Sequence, residues 1–129
     1  MLEHFAEPLR FLAELRAHLA PGGRLLVQVP NWDSLLVRLE GDHSSVVTPG
    51  HWSYFTPRTL PALLARSGFR ALRVETVVSE LDRIMTYSPA RIADWLRRLR
   101  PAASVGTLGA TRLHDLCLGY KLVGIFTLD

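Results

Sequence analysis

The hydrophobic positions change period along the first thirty residues. Leu12, Leu15 and Leu19 recur at helical spacing, with Phe5 and Leu9 extending the stripe, and then Leu25-Leu26-Val27 and Val29 run almost without polar interruption. Pro8 suits a first helical position, so a helix is predicted over 8–20. Pro21-Gly22-Gly23 ends it, because proline cannot continue the helix and glycine takes the positive φ of a tight exit. The run at 25–29 predicts a strand covered on both faces, as in the interior of a parallel sheet. A helix, a stop and an apolar strand form the second half of a βαβ unit. The chain therefore reads as one that begins in mid-fold.

Further along, a short helix is expected at 33–40, ended by Gly41, and a polar loop rich in Gly, Pro and His at 41–55. Thr56-Pro57 is a start signal, a cap residue followed by proline, for a helix carrying Leu60, Leu63 and Leu64 and stopping at Gly68. Residues 69–78 alternate, with Leu72, Val74, Thr76 and Val78 on one face and Arg73 and Glu75 on the other, which predicts a strand. Ser88-Pro89 repeats the cap signal ahead of Ile92, Trp95, Leu96 and Leu99. Residues 102–109 are a small-residue break, a weaker helix leads to Gly119, and 121–128 closes as an apolar strand. Helices alternating with strands argue for an α/β sheet. Because 121–128 is apolar on both faces, it is expected in the middle, antiparallel to 25–29 and 69–78 on either side.

With 129 residues there is room for one domain and a core of modest size. A hydrophobic fraction of 48% is high for so short a chain, yet no run approaches the ~18 apolar residues of a membrane span. No basic segment followed by an apolar core opens the sequence, so a secretory signal is not indicated and the cytoplasm is the default location. The single cysteine, Cys117, excludes an internal disulfide and reads as an inert buried thiol. Net charge is +3, almost all of the basic residues being arginine, with Arg91, Arg97, Arg98 and Arg100 grouped on one helix. A basic helix can bind phosphates, but no aromatic residues alternate with these arginines to stack bases, so a solvated face is the simpler reading.

Asn31 follows the carboxyl end of the first strand, where open α/β sheets bind ligands; its other reading is a helix cap. Asp42 and His43 with His51 lack a third ligand at workable spacing, so no metal site is expected. Trp32, Trp52 and Trp95 read as core or loop-packing residues.

Taken in order, Leu2-Glu3-His4, then Pro8 with Phe11-Leu12 and Glu14-Leu15, then Leu19 with Pro21-Gly22-Gly23 and Leu25, then Pro30-Asn31, resemble the carboxy-terminal half of class I S-adenosylmethionine-dependent methyltransferases. His51 with Tyr54-Phe55-Thr56-Pro57 and Thr59-Leu60, followed by Leu64 and Ser67-Gly68-Phe69, is similar to a small-molecule, ubiquinone-biosynthesis-like branch. The likeness covers most of residues 1–78. It implies a partial Rossmann-like domain over 1–129, S-adenosylmethionine as cofactor and a small-molecule methyl acceptor. By resemblance Leu2, Glu3 and His4 line the cofactor and transfer site, and His4 acts as general base; the plainer reading of His4 is an exposed, frayed terminus. His51 and Tyr54 fall on a substrate-facing lid, or form a structural pair that anchors the loop.

The family's glycine-rich turn and the ribose-binding acid have no counterpart in residues 1–129. The resemblance thus implies that the first four strands are absent or supplied by another chain, and that this chain alone is inactive. Two other classes stand beside it. One is a non-enzymatic interaction module that pairs with another chain, a second copy included, through the exposed edge of strand 25–29. The other is the weaker nucleic-acid reading of the arginine helix.

Overall fold

Pro8 opens the first helix as its ring requires, and the helix ends one turn earlier than its apolar stripe suggested. In the computed structural model, which describes residues 1–99, 114 and 116–128, α1 spans Pro8–Ala17. The early stop has a local cause: Nδ1 of His18 lies 2.8 Å from the Glu14 carbonyl, and the His18 backbone N–H bonds to Leu15 instead. That tightens the last turn. Gly22, at φ +72°, then turns the chain into β1, Arg24–Pro30.

Three strands follow the predicted order. β2 is Phe69–Val77 and β3 is Lys121–Leu128, and the sheet runs β1-β3-β2 with both ladders antiparallel. Val27 faces Gly124 on one side of the middle strand, and Val74 faces it on the other. The predicted two-sided cover of β1 is corrected. Its neighbour is antiparallel, its burial alternates, and Leu26 is 66% exposed. An unbroken apolar run does not by itself distinguish one covered face from two.

The covered face carries Leu25, Val27 and Val29, Leu122, Phe126 and Leu128, with Phe69 and Val74. Leu12 and Leu15 of α1 pack against it, as do Leu60 and Leu64 of α3, Thr59–Arg66. The start signal at 56–57 is seen directly. Oγ1 of Thr56 accepts from the Thr59 N–H at 3.1 Å, and Oγ1 of Thr59 accepts from the Thr56 N–H at 2.9 Å, a reciprocal cap.

Leu72 does not join the apolar face of β2. It is the extra residue of a β-bulge between Ala71 and Arg73 and is 45% exposed. The bulge shifts the alternation by one position, which puts Phe69 and Ala71 on the same face as Val74 and Thr76.

A second cluster lies beyond the carboxyl end of β1. It joins α2 (Leu35–Glu40), α4 (Leu81–Ile84) and α5 (Pro89–Leu99) through Leu35, Leu36, Leu39, Ile84, Ile92 and Leu96, closed by Leu118. Ser88 caps α5 as expected, its Oγ accepting from the Arg91 N–H. The four-residue α4 had no signal in the sequence. The predicted break at 102–109, Arg100, the Leu99 side chain and most of the weaker helix before Gly119 lie outside the described residues.

Gly124 owes its place to Phe126. A methyl group at residue 124 would stand 2.4 Å from a ring carbon of Phe126, two positions along the same face. Phe126→Ala is expected to cost about 3–5 kcal/mol and Gly124→Ala about 1–3 kcal/mol, whereas Leu26→Ser on the exposed face stays within about 0.5 kcal/mol. Urea denaturation of the single and double variants checks this. Gly124→Ala should cost much less once Phe126 is alanine, and simple additivity would show that the ring does not fill that space.

Candidate functional site

The end of β1 is held by one side chain. Asn31 is fully buried; its amide donates to the carbonyls of Gly119 at 2.8 Å and Cys117 at 3.2 Å, and its Oδ1 accepts from the Asp33 N–H at 3.1 Å. The cap of α2 is Ser34, whose Oγ accepts from the Val37 N–H, so the helix-cap reading of Asn31 is corrected. Residue 31 also forms a parallel bridge with Phe55, and the Trp32 N–H donates to the Phe55 carbonyl at 2.8 Å. The loop ahead of α3 is thereby drawn back to the carboxyl end of β1.

Its other anchor is the opening segment. Leu2–His4 forms a single 3-10 turn in which Leu2 and Glu3 are buried. The Glu3 carbonyl accepts from the N–H groups of Trp52 at 2.8 Å and Ser53 at 3.3 Å. Between these anchors the two histidine rings meet, centroids 4.6 Å apart and edge to face. Nδ1 of His4 lies 3.0 Å from the Gly50 carbonyl, and Nδ1 of His51 lies 2.9 Å from the Val46 carbonyl. A carbonyl only accepts, so each Nδ1 is the donor, and whichever ring is neutral has its lone pair on Nε2. The Glu3 carboxylate reaches to 3.7 Å from Nε2 of His4. Tyr54 packs its ring on Trp32, centroids 4.6 Å apart, at the same end of the sheet.

Burial works against ionisation of Glu3. The Met1 ammonium at 2.7 Å, a backbone N–H and the neighbouring His4 outweigh it and hold the carboxyl below its ordinary value. Glu80 goes the other way, because burial raises it further than its bonds to Ser79 and Tyr120 lower it.

Other expectations are amended. Trp52 is 70% exposed and packs no core, whereas Trp32 and Trp95 are half-buried. Cys117 is half-buried at φ +55°, on a cleft of about 290 Å³ with Asp33, Arg38 and Arg58. The arginines of α5 have partners in their own chain: Arg91 donates to the Leu39 carbonyl, and Arg97 and Arg98 pair with Asp94.

Linear spacing brought His51 and Tyr54 together but could not bring His51 to Glu3 and His4. The only trace of that meeting in the sequence is the Pro49-Gly50 turn, with Gly50 at φ +95°, which presents the carbonyl that orients His4.

Residues 1–74 match a family model described as a methyltransferase domain. A protein described as the uncharacterized 37.1 kDa protein in transposon TN4556, from Streptomyces fradiae, is 51% identical over 37 residues. That stretch is 29% of this chain and 11% of the relative's length, so the chain matches only a small part of that protein. No helix among the described residues is long and apolar enough to cross a membrane.

The two carboxyls give opposite pH signatures. Glu3, more acidic when folded than its ordinary 4.5, adds stability that is present above about pH 4.5 and lost as pH falls through the folded value. Glu80, less acidic when folded, costs stability as pH rises past 4.5 through its raised value. Denaturation midpoints across pH 3–8 (roughly the carboxylate and histidine range) should therefore show Glu3→Gln flattening the acid limb and Glu80→Gln raising neutral stability. Parallel curves for wild type and both variants would contradict the assignment.

Proposed function

The chain belongs to the methyltransferase-domain family, and we propose that it forms the acceptor side of an S-adenosylmethionine-dependent enzyme that methylates a small molecule in the cytoplasm. The observation that supports this reading is the His4–His51 pair, with rings 4.6 Å apart at the carboxyl end of β1 and each ring turned by a carbonyl on its Nδ1, so that Nε2 is the nitrogen left for an acceptor group. Such a nitrogen can take a proton from an acceptor hydroxyl or amine as the methyl group arrives. In this reading His4 and His51 are the candidate bases. Tyr54, backed by Trp32, bounds the acceptor. Asn31 serves the acceptor indirectly, by holding the strand end on which the loop rests. Leu2, Glu3 and His4 face the cofactor.

The protein's contribution to methyl transfer is chiefly alignment of donor and acceptor. Cofactor binding also needs a glycine-rich turn, so that the backbone can approach the ligand, and an acid for the ribose hydroxyls. Residues 1–129 carry no glycine-rich turn between a strand and a helix. The proposal is therefore that this chain alone does not methylate.

A second reading has its own observation. The outer edge of β1 pairs with no strand among the described residues, and beside it runs an apolar cleft of about 230 Å³ lined by Phe11, Leu12, Leu15, Leu25 and Val27. An open edge next to an apolar cleft suits strand addition, including by a second copy.

Calorimetry of S-adenosylmethionine against residues 1–129 is expected to show a Kd no tighter than roughly 1 mM; micromolar binding would overturn the reading of the chain as the acceptor side alone. In any methylating form that contains this chain, His51→Ala should lower kcat by about 10²–10⁴-fold, and an unchanged kcat would remove His51 from the chemistry. Light scattering should show concentration-dependent association that Val27→Lys abolishes. A monomer at all concentrations would sink the strand-edge reading.

A further inference from the structure

A cleft of about 290 Å³ adjoins the Asn31 junction, and neither His4 nor His51 lines it. Three segments build it: Asp33 and Arg38 after β1, Pro57 and Arg58 ahead of α3, and Cys117 and Leu118 ahead of β3. Asn31 ties the first to the third through the Asp33 N–H and the Cys117 carbonyl, and its bridge to Phe55 brings in the second. Two arginines stand among the apolar lining. Arg38 is half-buried, and one nitrogen of its guanidinium, Nη2, bonds to a single oxygen of Asp33. Its Nε is buried without a partner among the described residues. Arg58 is exposed and meets no carboxylate among the described residues. An arginine carries five N–H donors in a planar fork, so the pair holds more donors and more positive charge than Asp33 can answer.

We propose that this cleft binds a monocarboxylic acid with an apolar body, its carboxylate between Arg38 and Arg58 and its body against Pro57 and Leu118. The charges select the anion. Two guanidiniums offset by one Asp33 carboxylate suit a single negative charge, and Asp33 repels the second charge of a phosphate. A planar carboxylate also matches the guanidinium fork. The volume lies just under the ~300–1,000 Å³ of ordinary ligand clefts, so the ligand is small. The rival account is a solvated Arg58 beside a structural Arg38–Asp33 pair, and it gives the cleft no preference for anions.

Occupancy has a consequence for the neighbouring site. Pro57 and Arg58 follow directly on the loop that carries His51 and Tyr54, whereas Arg38 belongs to α2. A carboxylate shared by the two arginines therefore fastens the end of that loop to α2. The site goes beyond the methyl-transfer reading and does not rest on it. A carboxylate can bind with neither cofactor nor acceptor present, so either proposal can fail alone.

Cys117 supplies the readout. It is the only cysteine of the chain and lies half-buried on the cleft, so its rate of alkylation by iodoacetamide reports occupancy. At constant ionic strength, sodium benzoate is expected to bind with a Kd on the order of 1 mM, as befits so small a ligand. At about ten times that Kd it should slow alkylation roughly tenfold. Benzamide, of the same size without the charge, should protect far less, as should acetate, which lacks the apolar body, and inorganic phosphate. Arg58→Gln should remove the protection and Arg66→Gln, at the other end of α3, should leave it. Asp33→Asn should strengthen it by freeing Arg38, whereas a merely structural pair would be weakened by the same change. A measurement on the wild-type chain guards against variants that unfold: the backbone amide resonances of Asp33, Arg58 and Cys117 should shift with benzoate and stay still with benzamide. Absence of both protection and amide shifts, equal effects of benzoate and benzamide, stronger protection by phosphate, protection that survives Arg58→Gln, or its loss in Asp33→Asn would each overturn the proposal.

Discussion

Everything in this molecule hangs on the last strand lying between the other two. β3 supplies both ladders of the sheet, and removing it would leave β1 and β2 with no common neighbour. Its register does more than build a sheet. Pairing Pro30 with Lys121 brings residues 117–120 beside the end of β1, where Asn31 binds the carbonyls of Cys117 and Gly119 and its own N–H reaches Tyr120. The Leu35 N–H donates to the Leu118 carbonyl, so the start of α2 is set by the same segment. Backbone bonds at a buried strand end cannot be exchanged for water without loss, which is why one buried asparagine holds this junction so firmly.

From that junction the loop of residues 44–55 is suspended by backbone contacts at two points. Phe55 is held at the end of β1, and Trp52 and Ser53 are held by the Glu3 carbonyl. The histidines are oriented by carbonyls of the same loop. Site geometry therefore depends on main-chain positions more than on the identities of neighbouring side chains. Tyr54 and Trp32, their rings tilted against each other, add an aromatic wall beside the loop.

The sheet is unequal on its two faces. One is filled by α1 and α3 around Leu12, Leu60, Leu64, Phe69, Leu122 and Phe126; the other shows Leu26, Val123 and Ile125 among Arg24, Gln28 and Lys121. The bulge at Leu72 belongs to the same economy, since it lets β2 switch its alternation and still offer both Phe69 and Val74 to the filled side. The apolar alternation at 69–78 in the sequence was real, but a bulge is invisible to a count of alternating positions.

Sequence alone determined the elements and their order. Helical spacing, the Pro21-Gly22-Gly23 stop, the Thr56 and Ser88 caps and the apolar character of 121–128 are local properties, written in residues within a few positions of each other, and they led to the strand order β1-β3-β2. The motifs from Leu2-Glu3-His4 onward likewise pointed to a methyltransferase domain, and that much the match over residues 1–74 bears out. What only the tertiary structure decided were matters of meeting and of cover: which face of β1 is open, the bulge at Leu72, the exposure of Trp52, the cap at Ser34 and the convergence of Glu3 and His4 on His51. Each depends on contacts between segments far apart in the chain. Hydrophobic period constrains a residue's neighbours three or four positions away and carries no information about which distant loop a sheet register will bring alongside.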